Sequence, residues 1–211
     1  MSTRSFLYPF LDEGSVSAAS APVDVSELID AARESWAVGV ALDRETLARN
    51  HDPIRDAASL ITTASANQNR VFVIGNGGSA SDAQRLVRLL GDTVPARTLI
   101  DPVVISALAN DVGATQIFAR QIETFVRPGD VVVAFTTSGT SANIVAALAA
   151  ARRQGATTVA FAGYNGGILR EHSDVDICLV VDSTSVHRIQ EAQSTLANEI
   201  VRRIHQPEAP S

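Results

Sequence analysis

Two short stretches carry the residues best suited to gripping an anion. Gly75-Asn76-Gly77-Gly78-Ser79 follows the apolar run Val71–Ile74 and precedes a helical pattern. Glycines let a backbone turn sharply and come close to a ligand. The N–H groups that open a helix, with the helix dipole behind them, favour phosphate. Gly77 is placed for such an approach, and Ser79 adds a hydroxyl donor. Thr136-Thr137-Ser138-Gly139-Thr140-Ser141 repeats the arrangement after the run Val131–Phe135. Every residue of that loop except Gly139 carries a hydroxyl. Capping the next helix needs only one of them. The others, Thr136, Thr137, Ser138 and Ser141 among them, suit a phosphate with several acceptor oxygens.

Either stretch alone reads equally as a tight strand-to-helix turn. Gly75-x-Gly77-x-x-Ala80 also fits a dinucleotide fingerprint, which wants an acidic residue at the end of the next strand. The nearest acid is Asp101, and Pro102 behind it looks like the start of a helix. A dinucleotide site has no need of a second, hydroxyl-rich loop. Two donor-rich loops on the carboxyl edge of one parallel sheet form the more specific pattern, because ligands bind there in open α/β folds.

The elements that must position these loops alternate along the chain. Short apolar strands are expected at 71–74, 98–100, 131–135, 157–161 and 175–181. Helical patterns fall at 79–91, 102–109, 114–126, 140–154 and 187–205. This alternation predicts a three-layer α/β/α sandwich around a five-stranded parallel sheet. Ahead of it, Asp24-x-x-Glu27 reads as a capping box. A second helix near Pro53 sets Ile54, Ala57, Ala58, Ile61 and Ala64 on one face. The expected organisation is a flexible arm over 1–23, one domain over 24–206 that includes an N-terminal helical pair at 24–68, and a tail at 207–211. The arm's apolar patch, Phe6–Leu11, reads either as loose or as a docking segment.

The chain has 211 residues, 45% of them apolar, and a formal net charge of −6. That charge argues against a surface that coats nucleic acid. The single cysteine, Cys178, permits no intrachain disulfide and reads as a small buried hydrophobe, in keeping with a reducing cytoplasm. The apolar runs are of strand length, short of the roughly 20 residues a membrane helix needs.

Several segments together resemble the SIS (sugar isomerase) family, in its phosphoheptose isomerase branch. They are Val73–Gln84, Ala107–Gly113, Ile117–Gln121, Arg127-Pro128-Gly129-Asp130 and Arg188-Ile189-Gln190-Glu191. The resemblance spans roughly residues 50–205 in the correct order. It implies a flavodoxin-like sheet, a homotetramer with sites at subunit contacts, and a phosphorylated sugar as partner. It also implies phosphate binding by Ser79, Thr136, Ser138 and Ser141, with Asn76 and Gln190 at further site positions.

The family's catalytic and metal positions are not matched. Its His and Glu, four apart on the helix after the first loop, are replaced by Arg85 and Leu89. Its second His is replaced by Asn198, and its aspartate three residues before Gln190 by His187. Zinc wants imidazole, carboxylate or thiolate, and a guanidinium repels it. No metal or other cofactor is therefore expected. Arg85 is instead a candidate anion contact. Aldose–ketose isomerisation needs a base and an acid. At about 100° per residue, Ile189, Leu196, Ile200 and Ile204 make the last helix's apolar face. His187, Glu191, Ser194 and Asn198 share the opposite face, with Gln190 at its border. That face is either simply solvated or the wall of a site in which His187 and Glu191 serve as a substitute acid–base pair. Asp111 and Glu123 are further candidate bases. The expected function is a phosphosugar-binding protein resembling sedoheptulose 7-phosphate isomerase, working without metal if it is catalytic. The alternative is a non-catalytic sensor or scaffold that binds a protein partner, as relatives of the replication-initiator-associating type do.

Overall fold

The computed structural model describes residues 25–206. The expected arm, the residue Asp24 of the capping box and the expected tail lie outside them. The chain divides into two compact units, Met1–Val38 and Gly39–Ser211. Of the first, the described residues form the leading part of helix α1 (Val25–Arg49). There Val25, Leu28 and Trp36 are exposed.

The second unit holds the rest of α1, then α2 (His51–Ala66), β1 (Val71–Gly75), α3 (Gly78–Leu90), β2 (Ala96–Thr98) and α4 (Pro102–Asp111). These are followed by α5 (Ala119–Phe125), β3 (Val131–Phe135), α6 (Ala142–Arg153), β4 (Thr157–Ala162), β5 (Ile177–Val180) and α7 (Val186–His205). In α2 the five residues expected on the apolar face are the ones buried. Pro53 sits in its first turn, where a missing N–H costs nothing. The side chain of Asn50, just before α2, donates to the Val180 carbonyl and accepts from the Val180 amide, both at 2.9 Å. An amide thus pairs with backbone that the edge strand β5 would otherwise leave open.

All five strands are parallel, in the order β2-β1-β3-β4-β5. Side chains alternate between the two faces. Val71, Val73, Val133, Phe135 and Phe161 pack with α2, α3 and α7, and Phe135 stacks on Phe161 with ring centroids 4.3 Å apart. Phe72, Ile74, Val132, Ala134 and Ala160 pack on the other face with α5 and α6. The flavodoxin-like three-layer sandwich is as the sequence predicts.

Three local expectations shift. The strand expected at 98–100 is paired at Ala96–Thr98. Leu99 stays buried, and Asp101 leaves the strand to cap α4, accepting from the amides of Val103 and Val104. The helix expected over 114–126 is broken into a 3-10 turn, Ala114–Gln116, and α5. Ile117, Phe118 and Ala119 are all buried. Successive helical positions point about 100° apart, so a straight surface helix could not bury three in a row. Finally, a 3-10 segment, Gly167–Glu171, stands where no element was expected.

Asp130, at the entry to β3, holds three partners. It accepts from the backbone amides of Arg70 and Arg127, each at 2.8 Å, and pairs with the Arg70 guanidinium at 3.1 Å, with its own side chain only 3% exposed. Asp130→Ala would leave two amides without acceptors. It should destabilise the fold by roughly 2–4 kcal/mol, read as a lower midpoint in urea with an unchanged slope. A change below about 0.5 kcal/mol would contradict this role.

Candidate functional site

The register of the sheet sets the two loops side by side. Gly75, the last residue of β1, pairs with Phe135, the last of β3. Neighbouring strands lie about 4.8 Å apart, so both chains leave the carboxyl edge together. Between these strands the order of the sheet reverses, which opens the crevice where such folds take ligands. The loops are tied across it by a reciprocal amide pair, since Asn76 and Asn143 each donate to the other at 2.9 Å.

The second loop is held from both sides. Gly139, at φ +66° and buried, takes a conformation that side-chain-bearing residues rarely adopt. Its carbonyl accepts from Ile168 and Leu169, and the Thr137 carbonyl accepts from Gly163. From below, the fully buried Gln193 of α7 donates to the Thr136 carbonyl at 2.9 Å. The Oε1 of Gln193 has no partner among the described residues.

In this frame the hydroxyl oxygens of Thr136, Ser138 and Ser141 converge. They are 3.5, 3.5 and 3.4 Å from one another. A good O–H···O bond is about 2.7–2.8 Å, so the three hydroxyls satisfy one another poorly and retain capacity for an outside acceptor. Ser79 is buried in the first turn of α3, and Thr137 is half-buried. The amides of Ser79 and Ala80 turn back onto the carbonyls of Asn76 and Gly77.

A line of polar side chains leads away from the first loop between α3 and α7. It starts at Gly78, where an added Cβ would fall 2.9 Å from the Gln190 amide oxygen. Gln190 donates to Asp82 at 3.2 Å, and Ser194 lies 3.5 Å from the same carboxylate. One turn further on, Arg85 donates to the side-chain oxygen of Asn198 at 2.9 Å. The contacts advance in the same direction along both helices, so α3 and α7 run roughly parallel with their N-termini at the sheet's carboxyl edge. Burial raises the Asp82 carboxyl above its ordinary value, against the bonds from Gln190 and Ser194 and the nearby Arg85 charge.

These partners divide the candidate residues. Asn76, Gly77, Ser79, Thr136, Thr137, Ser138 and Ser141 gather at the crevice, and Gln190 and Arg85 extend from it. His187 and Glu191 stand one turn apart on an exposed face at the start of α7, and Glu191 is paired with Arg188 at 2.6 Å. Glu123 pairs with Arg120 and Arg153. Asp111 is exposed at the end of α4. Asp101 caps a helix, which removes the acid that the dinucleotide reading required. Cys178 packs beside the core, and burial pushes its thiol up to about 11, which leaves it inert at neutral pH.

The zinc that the family resemblance implies does not fit these residues. The corresponding positions hold Arg85, Leu89 and Asn198. Leu89 packs against the core and Arg85 already donates to Asn198. A guanidinium, an alkyl group and an amide are not a zinc donor set. Among the described residues, no three His, Cys, Asp or Glu side chains gather where they could hold a metal ion.

Sequence reasoning missed Asp82, Asn143 and Gln193. Asp82 is three residues from Ser79, which the sequence singles out. Gln193 lies three positions from Gln190, within the apolar stripe of α7, and a glutamine in such a stripe is itself a signal.

Known proteins share this fold. A family model described as the SIS domain matches residues 37–163. A phosphoheptose isomerase from Roseiflexus sp. (strain RS-1) is 38% identical over 175 residues, covering 78% of this chain and 88% of the relative. One from Aquifex aeolicus is 39% identical over 161 residues, covering 72% and 83%. Among solved structures, phosphoheptose isomerase GmhA from Neisseria gonorrhoeae superposes with a TM-score of 0.79 at 31% identity, covering 84% of this chain and 98% of that one. The Francisella tularensis phosphoheptose isomerase gives 0.78 at 30%, covering 87% and 100%.

Proposed function

The chain belongs to the SIS domain family, and from that premise we propose that it binds a sugar phosphate of the class its phosphoheptose isomerase relatives are named for. The phosphate is gripped by Ser79 and the Thr136–Ser141 loop, and the sugar lies toward Gln190. The observation that carries this reading is the convergence of three under-satisfied hydroxyls, Thr136, Ser138 and Ser141, beside the first loop.

The similarity to phosphoheptose isomerases favours an isomerase-like function over a scaffold that binds a protein partner. If the chain is catalytic, it works without metal, since the donor set is wrong for zinc. Proton transfer between adjacent carbons then falls to His187 and Glu191, the former suited to acid–base work near neutral pH. We place the protein in the cytoplasm. No helix among the described residues is long and apolar enough to cross a membrane.

Assembly as a homotetramer is part of the same reading. Trp36 is 73% exposed on α1 and Val103 is 75% exposed on α4, a helix with an apolar sequence and no buried residue. Such faces call for cover.

Three measurements test these statements. Ser138→Ala should weaken binding of sedoheptulose 7-phosphate by about tenfold or more in isothermal titration, as expected for one hydrogen bond to a charged group. Equal affinities would remove Ser138 from the site. Turnover of sedoheptulose 7-phosphate should be indifferent to added zinc and should fall about 100-fold or more in His187→Ala. Zinc-dependent turnover would refute the metal-free reading, and an unaffected variant would refute the role of His187. Sedimentation at micromolar concentration should give a tetramer, and a monomer would contradict the assembly.

A further inference from the structure

The polar line between α3 and α7 has a measurable length. Gly78 and Arg85 are seven residues apart on α3. At 1.5 Å per residue this is about 10.5 Å along the helix. An extended sugar phosphate of six or seven carbons has about that reach, at roughly 1.1–1.2 Å of advance per bond, as in an extended peptide chain. A ligand anchored by its phosphate at the first loop, lying along this line, would pass Asp82, Gln190 and Ser194. These groups suit sugar hydroxyls. Its far end would meet Arg85 and Asn198.

The charge at that far end forms no ion pair among the described residues, and the carboxylate it acts on, Asp82, lies one turn back. Arg85 donates to a neutral amide. The ion pairs of α7 tie Arg188 to Glu191, and Arg202 and Arg203 to Glu199. None recorded among the described residues takes in Arg85. Asp82, one turn back, is engaged with Gln190 and Ser194. Asn198 orients the guanidinium without neutralising it. Arg85 is half-buried at the edge of the line, so it remains open to a ligand. Arginine is the side chain best shaped to take a carboxylate or phosphate through two parallel N–H bonds.

The geometry points to a ligand with two anionic ends: a sugar phosphate carrying a second negative group, a carboxylate or another phosphate, on the carbon farthest from the first. Arg85 is the residue that selects it. This inference rests on the phosphate reading of the two loops and stands apart from catalysis by His187 and Glu191, since the far end of the ligand would lie about 16 Å along α7 from His187.

Isothermal titration in metal-free buffer tests it with paired ligands. Sedoheptulose 1,7-bisphosphate is compared with sedoheptulose 7-phosphate, and 6-phosphogluconate with glucose 6-phosphate. In the wild type at least one doubly anionic ligand should bind about tenfold tighter than its partner, the factor one charged hydrogen bond supplies. A gain with the bisphosphate alone identifies a phosphate as the second group. A gain with the sugar acid alone identifies a carboxylate. Arg85→Gln should erase the preference, bringing the affinity ratio within each ligand pair to about one. Asn198→Asp, which neutralises the guanidinium in place, should do the same and serves if Arg85→Gln folds poorly. No preference in the wild type, with the monophosphates still bound, would overturn this inference alone. A preference that survives in both variants would overturn the role of Arg85. Failure of every sugar phosphate to bind would overturn the phosphate reading and this inference with it.

Discussion

The site depends on the parallel pairing of β1 with β3. Their register ends with Gly75 opposite Phe135, so the glycine loop and the hydroxyl loop begin one strand spacing apart. A slip of one residue would turn every side chain of one strand to the other face. A slip of β3 would also move Phe135 off Phe161 on β4 and carry the hydroxyls away from Asn76. The core and the crevice are thus fixed by one set of hydrogen bonds. The Asn76–Asn143 pair then ties the loops together at their rims, and Gln193 supports Thr136 from the helix layer below. Neither contact is needed to hold the sheet, and both serve to hold the loops.

Much of this was legible in the sequence because the relevant signals are local. The strand at 131–135 and the buried face of α2 follow from apolar periodicity. The two loops stand out through glycine and hydroxyl content between a strand and a helix. What was not legible required three-dimensional knowledge. Ser194 and Asn198 share a helical face with His187 and Glu191, and the first two hydrogen-bond to α3, because contact depends on where the neighbouring helix runs. Asp82 gave no sign of its partners for the same reason. The break before α5 arises from burying three consecutive residues, a demand that comes from the sheet above them rather than from helix propensity.

On the proposed reading, the residues of α3 and α7 show how a chain can hold a sugar phosphate without metal donors. The proposed phosphate end is built from backbone turns and hydroxyls at the mouth of the sheet. The other end is built from side chains on two helices, several residues away along each. Replacing those side chains leaves the loops untouched, and the Arg85–Asn198 bond closes the gap between the helices with groups that reject a cation. Binding and chemistry are therefore physically separable in this architecture.

The most direct test of the account is a crystal structure of the protein grown with a sugar phosphate. The phosphate should lie against the hydroxyls of Ser79, Thr136, Ser138 and Ser141, with oxygen–oxygen distances of about 2.5–2.8 Å. Occupancy instead of the cavity of about 620 Å³ lined by Arg49, Tyr164 and Arg170, with the two loops left free of ligand, would contradict it.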